Sequence, residues 1–353
     1  MLNIRYLNLI SIYCYYSITC LDACKFLYII IMKLIEAVPN ISEGCNSAII
    51  TALVDFLRTA QNTQLLGYDA NPSANRTVFT LIGEQKAIYN VLFDFISLAT
   101  RLIDMRIQHG AHPRLGAVDV CPLIPLQNIS LQETAHLAQQ LGKRVGNELQ
   151  IPVYLYEQAA KRVACKNLAD VRRGEYEKLP EKLRILPPDF GPADWNDRTK
   201  KTGACIVGAR NFLIAFNVNL NTSDAQIAKQ IAMRIRQSSG GLAGVKAIGW
   251  YMENFNRAQV SCNIVDFRIA PLHLVFEACQ KEAAALGVQA TGCELVGLVP
   301  LEAMLAAGQH YAPAEKNPPV LIDTAVRALN LFEVKPFAPA QQILEIKAGL
   351  TRL

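Results

Sequence analysis

"HGAHPRLGAVDV", residues 109–120, places two of the chain's five histidines, an arginine and an aspartate around a proline and two glycines, just ahead of an apolar run. That run, "AVDVCPLIPL" (117–126), reads as a strand. The polar cluster therefore stands at a strand entrance, where two readings are open: a site for proton chemistry, or a turn whose histidine bonds to the main chain.

Outward from this point the pattern alternates strands and helices. "KLIEAV" reads as a strand, followed by a helix capped by Asn46 with Ile49, Ile50, Leu53, Val54 and Leu57 on one face. Two short strands, "QLLGYDA" and "TVFTLIG", precede a helix from about residue 84 that carries Ile88, Val91, Leu92, Phe95 and Ala99. After the strand at 117–126, Ser130 and Glu133 form a capping-box pattern ahead of Leu137, Leu141, Val145 and Leu149, and "PVYLYE" closes this half. Residues 165–203 are irregular and polar, which fits a long functional loop or a domain connection. Beyond them the order recurs: strand "NFLIAFNVNL", a helix capped by Ser223, strands "VKAIGWYM" and "AQVSCNIVDF", a helix over 271–286 and strand "VQATGCELVGLV". The expected fold is α+β, two ferredoxin-like βαββαβ subdomains with a ligand at their junction.

Composition narrows the function classes. Apolar residues make up 51% of the 353 residues and charged residues 18%, a globular balance without repeat or low-complexity bias. The net charge of +5 is spread along the chain, which argues against nucleic acid and suits a small ligand bearing carboxylates. The ten cysteines form no C-x-x-C pair, as expected of reduced thiols in a cytoplasmic protein. Residues 1–31 are rich in Tyr and Ile and admit three readings: a leader, a membrane anchor, or an extension outside the working protein. Asp22 and Lys25 interrupt the apolar run, and no small-x-small cleavage pattern follows it. An extension with the working start at Met32, and no membrane partner, is the expectation.

Phosphate-binding G-x-x-x-x-G-K-[ST], dinucleotide G-x-G-x-x-G, nucleophile G-x-S-x-G and zinc H-E-x-x-H patterns are all missing from the sequence. What remains are polar clusters at strand ends. "VPNISEG" (38–44) carries Asn40 and Glu43, and "DANPSANRT" (69–77) carries Asp69, Asn75 and Arg76. Each alone also reads as a turn. His109 and His112 stand three apart, yet Pro113 disfavours a helix and no third ligand of matching type is in view, so no metal is expected. A histidine such as His112 suits acid–base work because its ordinary pKa lies near neutrality. Arg114 can clasp a carboxylate, and Asp119 can orient the ring or satisfy backbone donors.

"EAVPNISEG", "NPSANRTVFTLIG", "LIDMRIQHGAHPRLGAVDVCPLIP", "PVYLYEQAA", "RRGEYEKLPEKL", "PDFGPA", "GARNFLIAFNVNL", "IGWYMEN" and "AQVSCNIVDF" together resemble the formiminotransferase domain family, the glutamate formimidoyltransferases of histidine degradation. The resemblance runs in consistent order from about residue 32 to about residue 311. It implies two ferredoxin-like subdomains with folate held in a ligand tunnel between them, and transfer of a formimidoyl group from N-formimidoyl-L-glutamate to tetrahydrofolate. Tetrahydrofolate, with or without a polyglutamate tail, is then a co-substrate and no metal is called for. The family's H-P-R histidine corresponds to His112 as the acid–base. Its glycine-rich folate stretch corresponds to Gly191, Pro192 and onward to Gly203, although "DWNDRTKKT" departs from the family's shorter segment there. Asp69 or Glu43 would stabilise a cationic amidine, Arg114 and Arg76 would take substrate carboxylates, and Asn40 and Asn75 would line the site.

Two rivals share these features: a folate enzyme acting on 5-formyltetrahydrofolate, and a non-catalytic folate-binding protein. The expected divisions are an extension over 1–31, subdomains over 32–208 and 209–332, and a tail over 333–353. A homodimer is expected. In some relatives a cyclodeaminase domain follows. Roughly 40 residues after Tyr311 are too few for a second enzyme, so a separate cyclodeaminase is the expected partner in the pathway.

Overall fold

A computed structural model describes residues 32–351, so the expected N-terminal extension lies outside the described residues. The chain divides into two compact units, one up to Arg210 and one from Asn211 onward.

In the first unit, β1 (Leu34–Ala37) and β2 (Asn40–Ile41) lead into α1 (Ser47–Thr59), and β3 (Thr63–Asn71) and β4 (Arg76–Glu84) into α2 (Gln85–Leu102) and β5 (Val118–Gln127). β1 and β2 pair antiparallel with β4 on one side and β5 on the other, while β3 pairs with the outer side of β4. α1 starts where Asn46 accepts hydrogen bonds from the Ala48 and Ile49 amides, as its sequence position leads one to expect. Its buried Ile50, Leu53, Val54 and Leu57 join Ile88, Leu92, Phe95 and Ala99 of α2 against Phe79 and Leu81 of β4. That helical spacing of apolar residues over strand alternation is what fastens both helices to one sheet face.

The sheet then grows. From β5 the chain passes through α3 (Leu131–Leu149), opened by the Ser130–Glu133 capping box, to β6 (Val153–Glu157). Residues 165–203, expected as a loop or connection, instead fold into α4 (Leu168–Arg172), α5 (Leu179–Ile185) and α6 (Asp197–Thr202), and lead to β7 (Cys205–Ala209). β7 lies parallel to both β5 and β6 and separates them. Tyr154 and Tyr156 of β6 face away from the α1–α3 side and pack with Val120, Ile206, Val171, Leu179 and Leu183 in a second apolar cluster. The segment's polarity concealed this: the apolar residues it buries, Cys165, Val171, Leu179 and Leu183, are scattered among charged ones. β7 is too short, and too uniformly buried, to show a period.

The second unit runs β8 (Ile214–Leu220), α7 (Ala225–Ile235), β9 (Val245–Met252), β10 (Arg257–Ile264), α8 (Leu272–Ala285) and β11 (Ala290–Val296). Its antiparallel order β11-β8-β10-β9 is the order of β5, β1, β4 and β3 in the first unit, so both units carry the βαββαβ arrangement. The α7 cap is Asp224 and not Ser223: the Asp224 carboxylate accepts from the Gln226 amide at 2.7 Å. After α9 (Leu301–Tyr311) and α10 (Pro318–Ala328) come two single-turn helices, α11 (Pro339–Gln342) and α12 (Leu344–Lys347). Residues expected as a tail include Ile343 and Leu344, both fully buried.

The described cysteines are unpaired and all but Cys45 are buried. Burial pushes the Cys121 thiol up to about 12, so these side chains serve packing. Among the described residues, no helix is long and apolar enough to cross a membrane.

Gly203 shows how tightly the added strands are docked. It ends α6 at φ +64° and ψ −154°, and a Cβ there would lie 2.3 Å from the Leu115 carbonyl oxygen. Gly203→Ala should lower the unfolding free energy by at least about 1–3 kcal/mol from backbone strain alone, the range for such residues. Asn46→Ala should cost only ~1 kcal/mol through the lost cap. Denaturant titration of both variants measures the difference.

Candidate active site

β4, β5 and β7 all begin at the same end of the first unit's sheet, because β4 and β5 both run antiparallel to β1 and β7 runs parallel to β5. Arg76 is the first residue of β4, Asp119 the second of β5, and Asn40 lies in β2 between them. Strand register alone therefore gathers three polar side chains from distant parts of the chain.

Asp119 has no solvent exposure. Its Oδ2 accepts from Arg76 Nη2 at 2.7 Å and from Arg172 Nη2 at 2.5 Å, and its Oδ1 accepts from the Leu115 amide at 2.8 Å. Burial pushes the Asp119 carboxyl up, but Arg172 and Arg76 outweigh it and hold the group below the usual carboxylate range. Arg76 uses its other N–H groups as fully: Nε donates to Asn40 Oδ1 at 2.9 Å, while Nη1 lies 3.0 Å from His112 Nδ1 and 3.3 Å from the Pro113 carbonyl oxygen.

The half-buried His112 ring contacts protein through Nδ1, which also lies 2.8 Å from the Pro113 carbonyl oxygen. Nε2 has no hydrogen-bond partner among the described residues. Burial lowers the imidazole pKa below its ordinary value; the Arg76 and Arg172 cations push in the same direction, against smaller opposing pulls from the Pro113 carbonyl and Asp119. The ring thus favours its neutral form, with Nδ1 turned to the protein and Nε2 without a protein partner among the described residues.

The surrounding loop is tied down by the other expected site residues. Glu43 is buried; its Oε1 accepts from the Cys45 and Asn46 amides, each at 2.8 Å, and its Oε2 from Gln108 Nε2 at 2.7 Å. Asn75 donates to Gln108 Oε1 at 2.5 Å and to the His109 carbonyl at 2.7 Å, and accepts from the Gly44 amide at 2.8 Å. Arg114 donates to the Gln108 carbonyl at 2.8 Å and to Glu177 at 2.7 Å, with Glu175 at 3.5 Å. Arg76 and Arg114, expected as clasps for substrate carboxylates, therefore have their donors occupied by the protein itself. Glu43, expected as a partner for a cationic amidine, instead holds the start of α1.

Asp69 is different. It is exposed on β3, an edge strand, and pairs with Val78, which in turn pairs with Asn40. Paired residues share a sheet face, so Asp69, Asn40 and Arg76 lie on one side, with Asp69 roughly 10 Å from Asn40 across two strand spacings. Among the described residues its carboxylate has no partner. Gly203 packs on Leu115 and Gly116, next to the His112 loop, whereas Gly191, at φ +83°, and the half-buried Pro192 that follows it lie at the start of β6, where a Cβ on Gly191 would meet the Ile151 carbonyl at 2.1 Å. Arg172 and Gln108 were not singled out by the sequence reading. The available signal was Asp119 itself, a charge inside an apolar strand that requires a buried partner.

Comparison with known proteins decides the family. Residues 34–210 match the family model described as "Formiminotransferase domain, N-terminal subdomain", and residues 215–348 match "Formiminotransferase domain". The chain belongs to the formiminotransferase family. A glutamate formimidoyltransferase from Streptococcus pyogenes serotype M1 is 42% identical over 285 residues, covering 80% of this chain and 94% of that protein. One from Thermoplasma acidophilum is 40% identical, covering 79% and 92%. The formimidoyltransferase-cyclodeaminase of Rattus norvegicus is 42% identical over 325 residues, covering 89% of this chain but 59% of that longer protein. The chain thus spans about three fifths of the rat relative, and nearly the whole of the bacterial and archaeal formiminotransferases. Among the described residues, no group of three or more His, Cys, Asp or Glu side chains is placed to hold a metal ion.

The Asp119 arrangement generates a stability prediction. Removing the buried carboxylate leaves two guanidiniums uncompensated, so Asp119→Asn should destabilise the first unit by about 3–5 kcal/mol at pH 7. Because the folded carboxyl titrates below its unfolded value of roughly 3.9, the stabilisation is present above that pH and lost as pH falls through the lower folded value. The gap between wild type and variant in denaturant titrations should therefore be widest near neutrality and shrink below about pH 4.

Proposed function

We propose that the chain is a glutamate formimidoyltransferase, moving the formimidoyl group from N-formimidoyl-L-glutamate to N5 of tetrahydrofolate in histidine degradation and releasing L-glutamate. The observation that carries this is His112: an imidazole contacted at Nδ1 and free at Nε2, beside Arg76, with the unpartnered Asp69 carboxylate on the sheet face that carries Arg76. The names of the bacterial and archaeal relatives support the same reading.

The chemistry uses both groups. Asp69 favours the cationic amidine, whose carbon is then more electrophilic. As N5 bonds to that carbon, the C=N electron pair moves onto nitrogen and N5 becomes a cationic, acidic N–H. Nε2 of His112 takes this proton and delivers it to the glutamate nitrogen. The lone pair on the remaining amidine nitrogen then re-forms C=N as the C–N bond to glutamate breaks, its electron pair leaving with the protonated glutamate nitrogen, and 5-formimidoyltetrahydrofolate remains. One imidazole serves as base and then as acid.

Glutamate release and 5-formimidoyltetrahydrofolate formation measure the activity. His112→Asn should lower kcat by about 10²–10⁴-fold with little change in KM, the usual contribution of a positioned acid–base. Asp69→Asn should lower kcat/KM for formimidoylglutamate by about 10- to 100-fold, from loss of a charged hydrogen bond. Because the base must be neutral, kcat/KM should fall on the acid side through a midpoint below ~6.5, and that limb should disappear in His112→Asn. Wild-type turnover in the His112 variant would remove the assignment.

A further inference from the structure

His112 Nδ1 has two neighbours of opposite character: the Pro113 carbonyl oxygen, which accepts, and Arg76 Nη1, which donates. One in-plane ring position cannot satisfy both. With a proton on Nδ1 the ring donates to Pro113 and faces the guanidinium unfavourably. Without one, Nδ1 accepts from Arg76 and Nε2 carries the proton. The imidazolium, protonated on both nitrogens, is the form most disfavoured by the cation.

Arg76 is fixed in this position. It is 6% exposed, with Nε on Asn40 and Nη2 on Asp119, and Asp119 is itself gripped by Arg172. The charged groups that act on the ring are Arg76 from β4, Arg172 from α4 and Asp119 from β5. Two cations against one buried anion leave a net positive field at the imidazole.

The tautomer that can take a proton at Nε2 is the one whose Nδ1 proton goes to the Pro113 carbonyl. We propose that Arg76 is a positioning residue: locked by Asp119 and Asn40 beside Nδ1, it packs against the ring while Nε2 faces the reacting atoms, and its cation drives the imidazolium to surrender its Nε2 proton to the departing glutamate nitrogen. This rests on the formimidoyltransferase reading. The two halves of the transfer differ in difficulty. N5, once bonded to the amidine carbon, is cationic and gives up its proton to a weak base. The basic glutamate amine leaves only with a proton. A ring that is a weak base and, once protonated, a strong acid suits that order, and the cation beside it makes it so.

The test follows the His112 ring by nitrogen NMR in the full chain without substrate, alongside pH profiles of kcat and KM, for wild type, Arg76→Gln and Arg76→Lys. In Arg76→Gln the ring's titration midpoint should rise by roughly 0.5–1 unit, the scale of a nearby charge, and kcat should fall at least tenfold with KM within about threefold. Arg76→Lys keeps the charge but cannot bridge Asn40, His112 and Asp119 at once. Its midpoint should stay near the wild-type value while kcat still falls about tenfold, a pattern that loss of structure alone would not produce. If Arg76→Gln does not fold, Arg76→Lys decides, and wild-type kcat in it overturns the proposal. Equal midpoints in wild type and Arg76→Gln overturn it whatever the turnover. A shifted midpoint in a wild-type background without formimidoyl transfer overturns the transferase reading instead, and leaves the Arg76–His112 contact standing.

Discussion

A carboxylate sealed from water between two arginines, Asp119, constrains everything around it. An isolated charge at such a position would cost several kcal/mol, so the fold must bring both guanidiniums to it. Arg76 arrives at the head of β4 and Arg172 at the end of α4. Meeting at one oxygen requires β4 and β5 to keep their register across β1 and β2, and requires the 160–186 segment to close over the sheet. The ion cluster and the apolar cluster of Tyr154, Tyr156, Val171 and Leu179 are therefore two aspects of one packing solution.

The loop bearing His112 inherits its rigidity from that solution. The Leu115 amide is bonded to Asp119, Arg114 to Glu177, and Gln108 to Glu43 and Asn75. Each bond links the loop to a different segment, so the ring's position is set from several directions. The proton relay proposed for His112 requires this, because small displacements of a reacting group cost rate steeply. The polar residues near the site thus separate into those that hold, among them Glu43, Asn75, Arg76 and Arg114, and those left available, His112 Nε2 and Asp69.

The two units share a strand order but differ in what they place on the sheet face away from the helices. In the second unit that face carries Gln259, fully buried, donating to Asn219 at 2.8 Å and to Glu294 at 3.2 Å, and accepting from Trp250 at 2.9 Å. These groups satisfy one another. In the first unit, the added β6 and β7 and the α4–α6 segment surround the end of the same face with charge and leave an imidazole nitrogen free. The shared topology supplies a platform, and the additions to one copy, through Arg172 and Glu177, brace the loop that carries His112.

Local information determined most of the secondary structure. Asn46 and the Ser130–Glu133 pair start helices because their side chains satisfy amides within the same turn, and the apolar spacing of α1, α2 and α3 is visible within each segment. The H-P-R cluster, and the family it belongs to, were also legible, because the motif residues lie close together in the chain. The tertiary structure alone decided which charged side chains are bonded to the protein and which are left without a partner. Arg76 and Arg114 look in sequence like anion clasps, yet their donors are consumed by the nearby Gln108 carbonyl and by side chains 36 to 63 residues away. The same holds for Arg172, which acquires its role only through Asp119, 53 residues distant. A side chain's role depends on which of its hydrogen bonds remain unmade after folding, and that is set by long-range packing that no local pattern encodes.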